Sequence, residues 1–481
     1  MGPMNELTKL TARQVVDLLR KREVTPVELV DAAAKRIAEV EPAVNALPTL
    51  SIERAREHGQ RLMDEGTPSD LPRGYLYGLP LAIKDLKDVA GVRSTKGSLI
   101  YANHIPERSD YLVENIEAKG GLVIAKSNTP EFGAGANTFN EVFGKTRNPW
   151  DTSKTCGGSS GGSAVALATG EVWLATGSDL GGSLRIPASF CSVVGMRPSP
   201  GRVPHGPKDL PFANLSVEGP MARTVGDLAL FLDTQAGQWE SDPISIAIPA
   251  KAFVDAVDSP IAPTRVAYTS DLGIAPVDPE VRSICEEAVT KFKDFGAAVD
   301  GATIDLHDAE EIFQTLRAAQ YAAQFGKLLR THHDLLKPDI AWNIEKGLGL
   351  SSEEVNRAEL ARGALYNRSV VFFQSYDLLI SPAVLLPAYD INQPYVTEAG
   401  GVKFDNYVSW LIMSFALTLT ACPSISVPCG FTASGLPVGL QITAPRSNEA
   451  ALLSAAALFE QAIGLNSGIP IDPIVRHTEG S

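Results

Sequence analysis

Hydrophobic and polar positions along the chain follow two alternating patterns. Over residues 11–67 the apolar side chains recur at helical spacing, and two Thr-x-x-Gln/Glu capping boxes, starting at Thr11 and Thr25, mark helix beginnings. The run Leu79–Ile83 is instead short and continuously apolar, which is typical of a strand buried on both faces. We therefore expect an N-terminal helical segment over 1–67 and the start of a sheet soon after it.

The alternation of strands and helices continues to the end of the chain. Because strand–helix–strand repeats build sheets that helices cover on both faces, we predict an α/β fold. Since the alternation never stops, a single large domain over 1–481 is favoured. The further predicted strands are 122–125, 172–176, 265–268, 298–304, 378–380, 424–427 and 438–442. The further predicted helices are 109–119, 161–169, 224–235, 279–295, 308–330, 351–375, 408–421 and 448–462.

Two stretches interrupt this alternation. Residues 128–155 are irregular, and a loop of this length inside a compact domain is usually functional. Residues 238–262 are rich in proline and alanine and form either a linker or an insertion on the substrate side. We place a catalytic core at 78–235 and expect 305–405 to be the lobe that varies with substrate.

Composition narrows the classes of function. The 481 residues include 44% hydrophobic and 20% charged residues, and the net charge of −14 disfavours a nucleic-acid-binding surface. The longest apolar run, 408–421, is too short to span a bilayer, and no signal-peptide pattern is present, so no membrane association is expected. The five cysteines lack CxxC spacing, which predicts reduced, mostly buried thiols, no zinc site and a cytoplasmic location.

Glycine and serine concentrate in two clusters within residues 156–198. The first is Gly157-Gly-Ser-Ser-Gly-Gly-Ser163, the second is Asp179-Leu-Gly-Gly-Ser183, and an apolar segment separates them. Glycine lets the backbone turn sharply and present its N–H groups to a ligand, while serine adds hydroxyl groups. Two such loops joined by a buried segment indicate a functional site.

Ser183 is the first candidate nucleophile. Its turn, 179–183, has freely oriented backbone N–H groups that suit the stabilisation of an oxyanion, although a structural turn that merely contains serine is the alternative. A serine nucleophile without histidine needs another base. Lys84, at the end of the run 79–83, becomes one if burial lowers the pKa of its amine, whereas a solvated strand-end lysine does not.

Ser159 raises a different possibility. Gly157-Gly-Ser-Ser-Gly161 formally matches the G-x-S-x-G elbow of Ser-His-Asp hydrolases. That elbow requires a strand directly before the serine, whereas residues 151–156 are predicted to be a loop, and no downstream histidine has a recognisable setting. The Ser-His-Asp interpretation is therefore disfavoured. The downstream histidines are His205, His307, His332, His333 and His477.

Phosphate binding is the competing use of glycine-rich loops. Gly157 and Gly162 have P-loop spacing, but Ser163-Ala164 stands where Lys-Ser/Thr is required. The pair Gly133-Ala-Gly135 likewise does not continue as G-x-G-x-x-G. Nucleotide binding is therefore disfavoured.

In these motifs the chain resembles the amidase-signature family. The resemblance rests on 157–163, on 177–187 and on Gly78-Leu-Pro-Leu-Ala-Ile-Lys-Asp85, and it is weakest over 238–405. It implies one large α/β domain with a mixed, twisted sheet covered by helices on both faces. It also extends to Asn148-Pro-Trp150, Gly195-Met-Arg-Pro198 and Gly435-Leu-Pro-Val-Gly-Leu-Gln-Ile442.

The resemblance implies a Ser–cis-Ser–Lys triad that needs neither a metal nor an organic cofactor. Ser183 would be the nucleophile, Ser159 the bridging serine and Lys84 the base, with the Gly158–Ser159 peptide in the cis form. The backbone amides implied to hold the oxyanion are those of Leu180, Gly181, Gly182 and Ser183. Supporting roles are expected for Ser178, Asp179 and Arg185, with Arg185 paired to Asp179, and for Gly133 and Ala134 in the pocket wall.

These roles imply a hydrolase of carbon–nitrogen bonds in small molecules. Carboxylic amides or anilides are the default substrates, and carbamates (urethanes) and esters share the same tetrahedral chemistry. A glutaminase subunit of a tRNA-dependent amidotransferase is a second hypothesis, and a non-catalytic binding protein a third. We expect a small-molecule substrate as the only partner, and a monomer or homodimer. Aromatic candidates for an apolar pocket are Phe212, Tyr321, Phe325, Trp342, Tyr395 and Trp410.

Overall fold

Across residues 5–476, which the computed structural model describes, eleven strands form one mixed sheet in the order β1-β3-β2-β4-β6-β5-β10-β11-β9-β7-β8. The neighbours β3, β2 and β4 are parallel, as are β9, β7 and β8, and the other pairs are antiparallel. The strands are β1 (Thr49–Leu50), β2 (Leu79–Lys84), β3 (Gly121–Ser127), β4 (Leu174–Asp179), β5 (Val194–Arg197), β6 (Val217–Ala222), β7 (Arg265–Tyr268), β8 (Ala298–Gly301), β9 (Leu378–Pro382), β10 (Ser424–Phe431) and β11 (Pro437–Thr443).

Helices lie between these strands, and the α/β fold predicted from the alternation is confirmed. The two capping boxes at Thr11 and Thr25 are present, each with reciprocal hydrogen bonds. The helices are α1 (Glu6–Lys9), α2 (Ala12–Lys21), α3 (Pro26–Val44), α4 (Ile52–Glu65), α5 (Tyr111–Ala118), α6 (Gly161–Thr169), α7 (Arg185–Cys191), α8 (Val225–Gln235), α9 (Phe253–Asp258), α10 (Pro279–Val289), α11 (Ala309–His332), α12 (Pro338–Leu348), α13 (Ser352–Phe372), α14 (Ile412–Thr418) and α15 (Glu449–Ile463).

Helix α6 is buried along its whole length, and it sets the position of the first glycine–serine cluster. Every residue from Gly161 to Thr169 is inaccessible to solvent, in keeping with a sequence that is apolar or small on all sides. The helix packs against β4 and β2. The loop before it is thereby held at the end of these two strands.

Some expectations about local structure are wrong. Residues 151–156 are not a loop, because Asp151–Thr155 forms a strand that pairs with Arg147–Asn148. The strands β5 and β6 and the helices α7 and α12 were also not expected. The single helix predicted over 279–295 is divided into two: α10 ends at Val289, and a 3₁₀ helix, Thr290–Phe295, follows it.

Other expectations hold. The run 408–421 is a buried 3₁₀ turn followed by α14, and no helix within residues 5–476 is long and apolar enough to cross a membrane. All five cysteines are buried free thiols. His477 lies outside the described residues.

Candidate active site

The parallel strands β2 and β4 end side by side, and this edge of the sheet holds Lys84 and Ser178. Lys84 is the last residue of β2 and is fully buried. Its Nζ lies 2.7 Å from Ser159 Oγ, 2.9 Å from Ser160 Oγ and 2.9 Å from Ser178 Oγ. The amine is therefore surrounded by three hydroxyl groups, and it has no carboxylate partner within salt-bridge distance in residues 5–476.

This environment decides the protonation of Lys84. Burial is the main cause that lowers the pKa of Lys84, to about 7, since the ammonium form loses its hydration. The carboxylates of Glu218 and Asp179 act in the opposite direction, and the nearby cation Lys87 adds to the lowering. The amine can thus exchange a proton near neutral pH, as a general base must.

The glycines of the first cluster allow a close approach of the chain. A Cβ on Gly161 would lie 2.2 Å from Thr138 Oγ1, and one on Gly158 would lie 3.0 Å from the same atom. Thr138 Oγ1 also donates to the Gly157 carbonyl at 2.8 Å. The 128–155 segment therefore lies directly on this cluster and fixes Ser159, whose peptide bond with Gly158 is cis.

The second cluster is a turn built around the Asp179 carboxylate. This group accepts hydrogen bonds from the Gly182 and Leu184 amides at 3.0 and 3.1 Å, and from Arg185 at 3.0 and 3.1 Å. Arg197 donates to the same residue. Burial alone raises the pKa of Asp179, but Arg185 and Arg197 outweigh it and hold the pKa well below its usual value.

Glycine is required at position 182. Its φ of 120° is disfavoured for other residues, and a Cβ there would lie 2.5 Å from the Ser414 side chain. The Gly182 N–H already donates to Asp179, which corrects the expectation that it is free for an oxyanion. Within the described chain, the amides of Leu180, Gly181 and Ser183 make no hydrogen bond to a protein acceptor.

The two clusters meet at Ser183. Its carbonyl accepts from the Ser160 amide at 3.3 Å, which ties the 179–183 turn to the start of α6. Ser183 and Leu180 are partly exposed, whereas Gly181 and Gly182 are buried. No hydrogen bond joins the Ser183 and Ser159 hydroxyls in residues 5–476, so the nucleophile candidate is close to the Lys84–Ser159 pair in the fold but not linked to it by a direct bond.

The predicted wall residues lie next to this centre. A Cβ on Gly133 would be 3.3 Å from Ser159 Oγ, so Gly133 faces Ser159 directly. Ala134 packs into a small apolar cluster with Tyr321 of α11. Of the other aromatic candidates, Phe325 stacks on Phe132, whereas Phe212 is 76% exposed and forms no wall.

Helix α11 connects the two sides of the site. At its beginning the Phe313 ring stacks on Phe415, and a Cβ on Gly181 would lie 3.2 Å from the Phe313 ring. Two turns later Tyr321 packs against Ala134. The 305–405 region therefore contributes one face of the candidate site through this helix.

The Ser-His-Asp interpretation stays disfavoured, but for a different reason. A strand does precede Ser159, but the described histidines make no hydrogen bond to Ser159 or Ser183. His205 bonds to the Val203 carbonyl, and the others that form a bond pair locally. Residues 5–476 contain no cluster of three or more His, Cys, Asp or Glu residues suited to a metal ion.

Sequence reasoning missed three contributors to the site. Ser160 contacts Lys84 as closely as Ser178 does, and its place beside Ser159 was the only available signal. Arg197 belongs to the family motif Gly195-Met-Arg-Pro198, but the motif alone gave it no role. Glu218 carries no sequence signal at all, since its position depends on how β6 pairs with β4.

Comparison with known proteins assigns this chain to a family. The family model for amidases matches residues 28–453. The chain belongs to the amidase family. It is an enzyme that hydrolyses carbon–nitrogen bonds of non-peptide amides.

Individual relatives span nearly the whole chain. An acylamidase of Rhodococcus erythropolis is 33% identical, covering 97% of this chain and 98% of the relative. A glutamyl-tRNA(Gln) amidotransferase subunit of Geobacillus kaustophilus is also 33% identical, covering 94% and 97%. The solved structure of a bacterial aryl acylamidase of the amidase signature family superposes with a TM-score of 0.88 at 26% identity, covering 96% of this chain and 99% of the other.

Proposed function

We propose that this protein cleaves small-molecule amides or anilides through an acyl-enzyme on Ser183, with Ser159 as the bridging serine and Lys84 as the base. The observation that carries the proposal is the contact of a fully buried lysine with three hydroxyls and no carboxylate. Because its pKa is lowered to about 7, a substantial fraction of such a lysine is uncharged at neutral pH and can accept a proton. The similarity to an acylamidase supports the choice of amides and anilides.

The hydroxyls around Lys84 orient its lone pair. A neutral amine has two N–H donors and one lone pair. Ser160 donates its own hydrogen to the Ser178 carbonyl at 3.3 Å, so it accepts from Lys84 rather than donating to it. If Ser178 Oγ accepts the second N–H, the lone pair points at Ser159, 2.7 Å away.

The proposed reaction then balances without any other group. Lys84 takes the proton of Ser159, Ser159 takes the proton of Ser183, and Ser183 Oγ bonds to the substrate carbonyl carbon. The oxyanion accepts from the free amides of Leu180, Gly181 and Ser183. Collapse breaks the C–N bond as the proton returns through Ser159 to the leaving nitrogen, and water repeats the route to release the acid.

The other predicted residues support this proposal. Asp179, fixed by Arg185 and Arg197, shapes the turn that presents the amides. Gly133 leaves room beside Ser159, and Ala134 belongs to the wall formed with α11. We assign the catalytic core to 78–235 and the substrate-selecting lobe to 305–405. The free buried thiols favour work in a reducing compartment such as the cytoplasm.

The test compares wild type with Ser183→Ala on a chromogenic anilide, an aryl carbamate, an aryl ester and glutamine. Ser153→Ala is the matched control, because among the described residues the Ser153 hydroxyl bonds only to Asp151, outside the site. We expect wild type and the control to release amine from the anilide and Ser183→Ala to release none. A substrate-derived acyl mass on the Ser183 peptide would identify the nucleophile. Equal turnover by Ser183→Ala would overturn the proposal.

A glutaminase subunit of a tRNA-dependent amidotransferase is the second candidate. It is favoured by the similarity to the Geobacillus amidotransferase protein over nearly the whole chain. It predicts that glutamine is hydrolysed while anilides and carbamates are not. Preference for carbamate or ester over anilide would instead change the substrate class and leave the triad in place.

A further inference from the structure

Glu218 lies on the same side of the sheet as the hydroxyls around Lys84. In the antiparallel pair of β4 and β6, Glu218 is directly opposite Ser178. Directly opposite residues of an antiparallel pair project to the same face. Because Ser178 Oγ is 2.9 Å from Lys84 Nζ, the Glu218 carboxylate is a close neighbour of the proposed base.

Glu218 is buried, and only one of its two carboxylate oxygens has a partner within residues 5–476. Its residue is 4% exposed, and its Oε2 has no hydrogen-bond partner within residues 5–476. Its Oε1 lies 3.1 Å from Nζ of Lys87. A buried carboxylate needs a compensating charge, and Lys87 supplies it three residues after Lys84 on the same chain segment.

Lys87 is itself held by two carboxylates. Besides Glu218, it lies 3.5 Å from Asp110. Burial alone lowers the pKa of Lys87, but Glu218 and Asp110 outweigh it and raise the pKa above its ordinary value. Lys87 is therefore a fixed positive charge beside Lys84, whose own charge varies with pH.

We propose that Glu218 and Lys87 are opposed positioning residues for Lys84: the carboxylate favours the ammonium form of the base, and the Lys87 cation cancels that influence. The inference rests on the proposed role of Lys84. It explains why a carboxylate is tolerated next to a lysine that must be uncharged to work. Neither residue takes part in bond making or breaking.

The charges around Lys84 act in the directions that the proposal requires. Burial contributes most to lowering the pKa of Lys84; Glu218 and Asp179 raise it and Lys87 lowers it. Asp179 is already neutralised by Arg185 and Arg197. This leaves Glu218 as the carboxylate whose effect depends on Lys87.

The remaining charges near this cluster are paired or neutral. Asp85 and Lys126 form a buried ion pair with each other. Burial, helped by Lys87 and Lys208, lowers the pKa of His205 well below its ordinary value, so the ring is neutral. The other charged groups of the cluster are Asp88 with Lys96, and Lys208 with Asp242.

The experiment measures kcat/KM against pH for wild type, Glu218→Gln, Lys87→Met and the double variant. In Glu218→Gln we expect the rising limb of the kcat/KM profile to move to lower pH by about one unit, because a negative charge near Lys84 is lost. In Lys87→Met we expect it to move to higher pH by a similar amount, because a positive charge is lost. In the double variant the two effects offset, and the limb lies between those of the single variants. A limb that stays fixed in both single variants, or moves in the same direction in both, would overturn the proposal.

A second measurement keeps the test independent of turnover and folding. The rate at which an aryl fluorophosphonate labels Ser183 is recorded over the same pH range, with circular dichroism to verify the folded state. Arg36→Met is the matched control, because it removes a buried cation paired with Asp472 at the far end of α6. We expect Arg36→Met to leave the limb in place. If Lys87→Met does not fold, the pH shift measured for Glu218→Gln decides on its own whether the proposal stands.

The design separates this inference from the proposed function. If Lys84→Met labels as fast as wild type at every pH, the role of Lys84 fails, and the inference fails with it. If Lys84→Met is inactive while the limb of Glu218→Gln and Lys87→Met stays unmoved, the proposed function stands and only the Glu218–Lys87 inference is overturned.

Discussion

Two lysines lie on neighbouring strands of this protein, and their surroundings differ. Lys84 ends β2 and Lys126 lies on β3, where the register places Lys84 opposite Ser127. Both side chains are fully buried. Lys126 donates to the Asp85 carboxylate at 2.7 Å and to Ser94 at 2.8 Å, whereas the Lys84 amine, within residues 5–476, hydrogen-bonds to hydroxyl groups only.

The comparison teaches that burial alone does not make a lysine a base. Burial lowers the pKa of both amines, but for Lys126 the adjacent Asp85 carboxylate opposes that effect directly. Asp85 is further fixed by hydrogen bonds from Thr95. Lys126 is thus one half of a structural ion pair, whereas the surroundings of Lys84 suit the proposed role of base.

The substitution Lys84→Met tests the proposed base and has the largest expected effect. We expect kcat/KM on an anilide to fall by about 10⁴-fold or more, since triad members act as a unit. The free energy of unfolding should not fall, because methionine needs no hydration and fills a similar volume. Steady-state kinetics and urea denaturation check both points, and a loss of stability without a loss of rate would reverse the comparison.

The substitution Lys126→Met tests the structural member. It leaves Asp85 buried without its cation, so we expect the free energy of unfolding to fall by about 3–5 kcal/mol. The activity of the remaining folded protein should fall far less than in Lys84→Met. Urea denaturation measures the change, and adding Asp85→Asn should recover part of it. Unchanged stability would show that the ion pair contributes nothing.

The substitution Ser160→Ala sharpens the comparison at a single hydroxyl. It removes one of the two groups that orient the Lys84 lone pair, so we expect kcat to fall by about ten- to a hundredfold. Ser163→Ala, in the first turn of α6, is the control, because Ser163 bonds to Ser127 and Thr176 and not to Lys84. Equal losses in the two variants would point to a packing effect.

The pH dependence of the rate is the prediction with the smallest expected effect. Below about 7, the pKa of Lys84, the amine is an ammonium and has no lone pair, so the rate should drop about tenfold for each pH unit. Above that value the amine is neutral and the rate should level off. A profile of kcat/KM from about pH 5 to 9 measures this, and a flat profile would remove Lys84 from the role of base.

Local patterns were sufficient for many elements. The continuous apolar run before Lys84 predicted β2, because a strand that is buried on both faces has apolar side chains on both. Helix α6 was predicted with the bounds the structure has, since its small and apolar residues run from Gly161 to the residue before Gly170. The capping boxes at Thr11 and Thr25 are equally local signals.

Other elements depend on pairing with distant residues. Strand β6 contains Gly219 and Pro220, which weaken any strand prediction, yet β4 and β5 bracket it from both sides. The polar strand Asp151–Thr155 forms because Arg147–Asn148 pairs with it. Such strands carry little signal in their own residues.

The sequence by itself determined the chemistry available at this site: a lysine ending an apolar strand, and serines set among glycines. The sequence already singled out Lys84 as the candidate base, but only the tertiary structure decided which groups surround its amine. Lys84, Ser160 and Glu218 are far apart in the chain, and the order β2-β4-β6 brings them together. A contact of this kind follows from sheet order and register, and no local pattern encodes either.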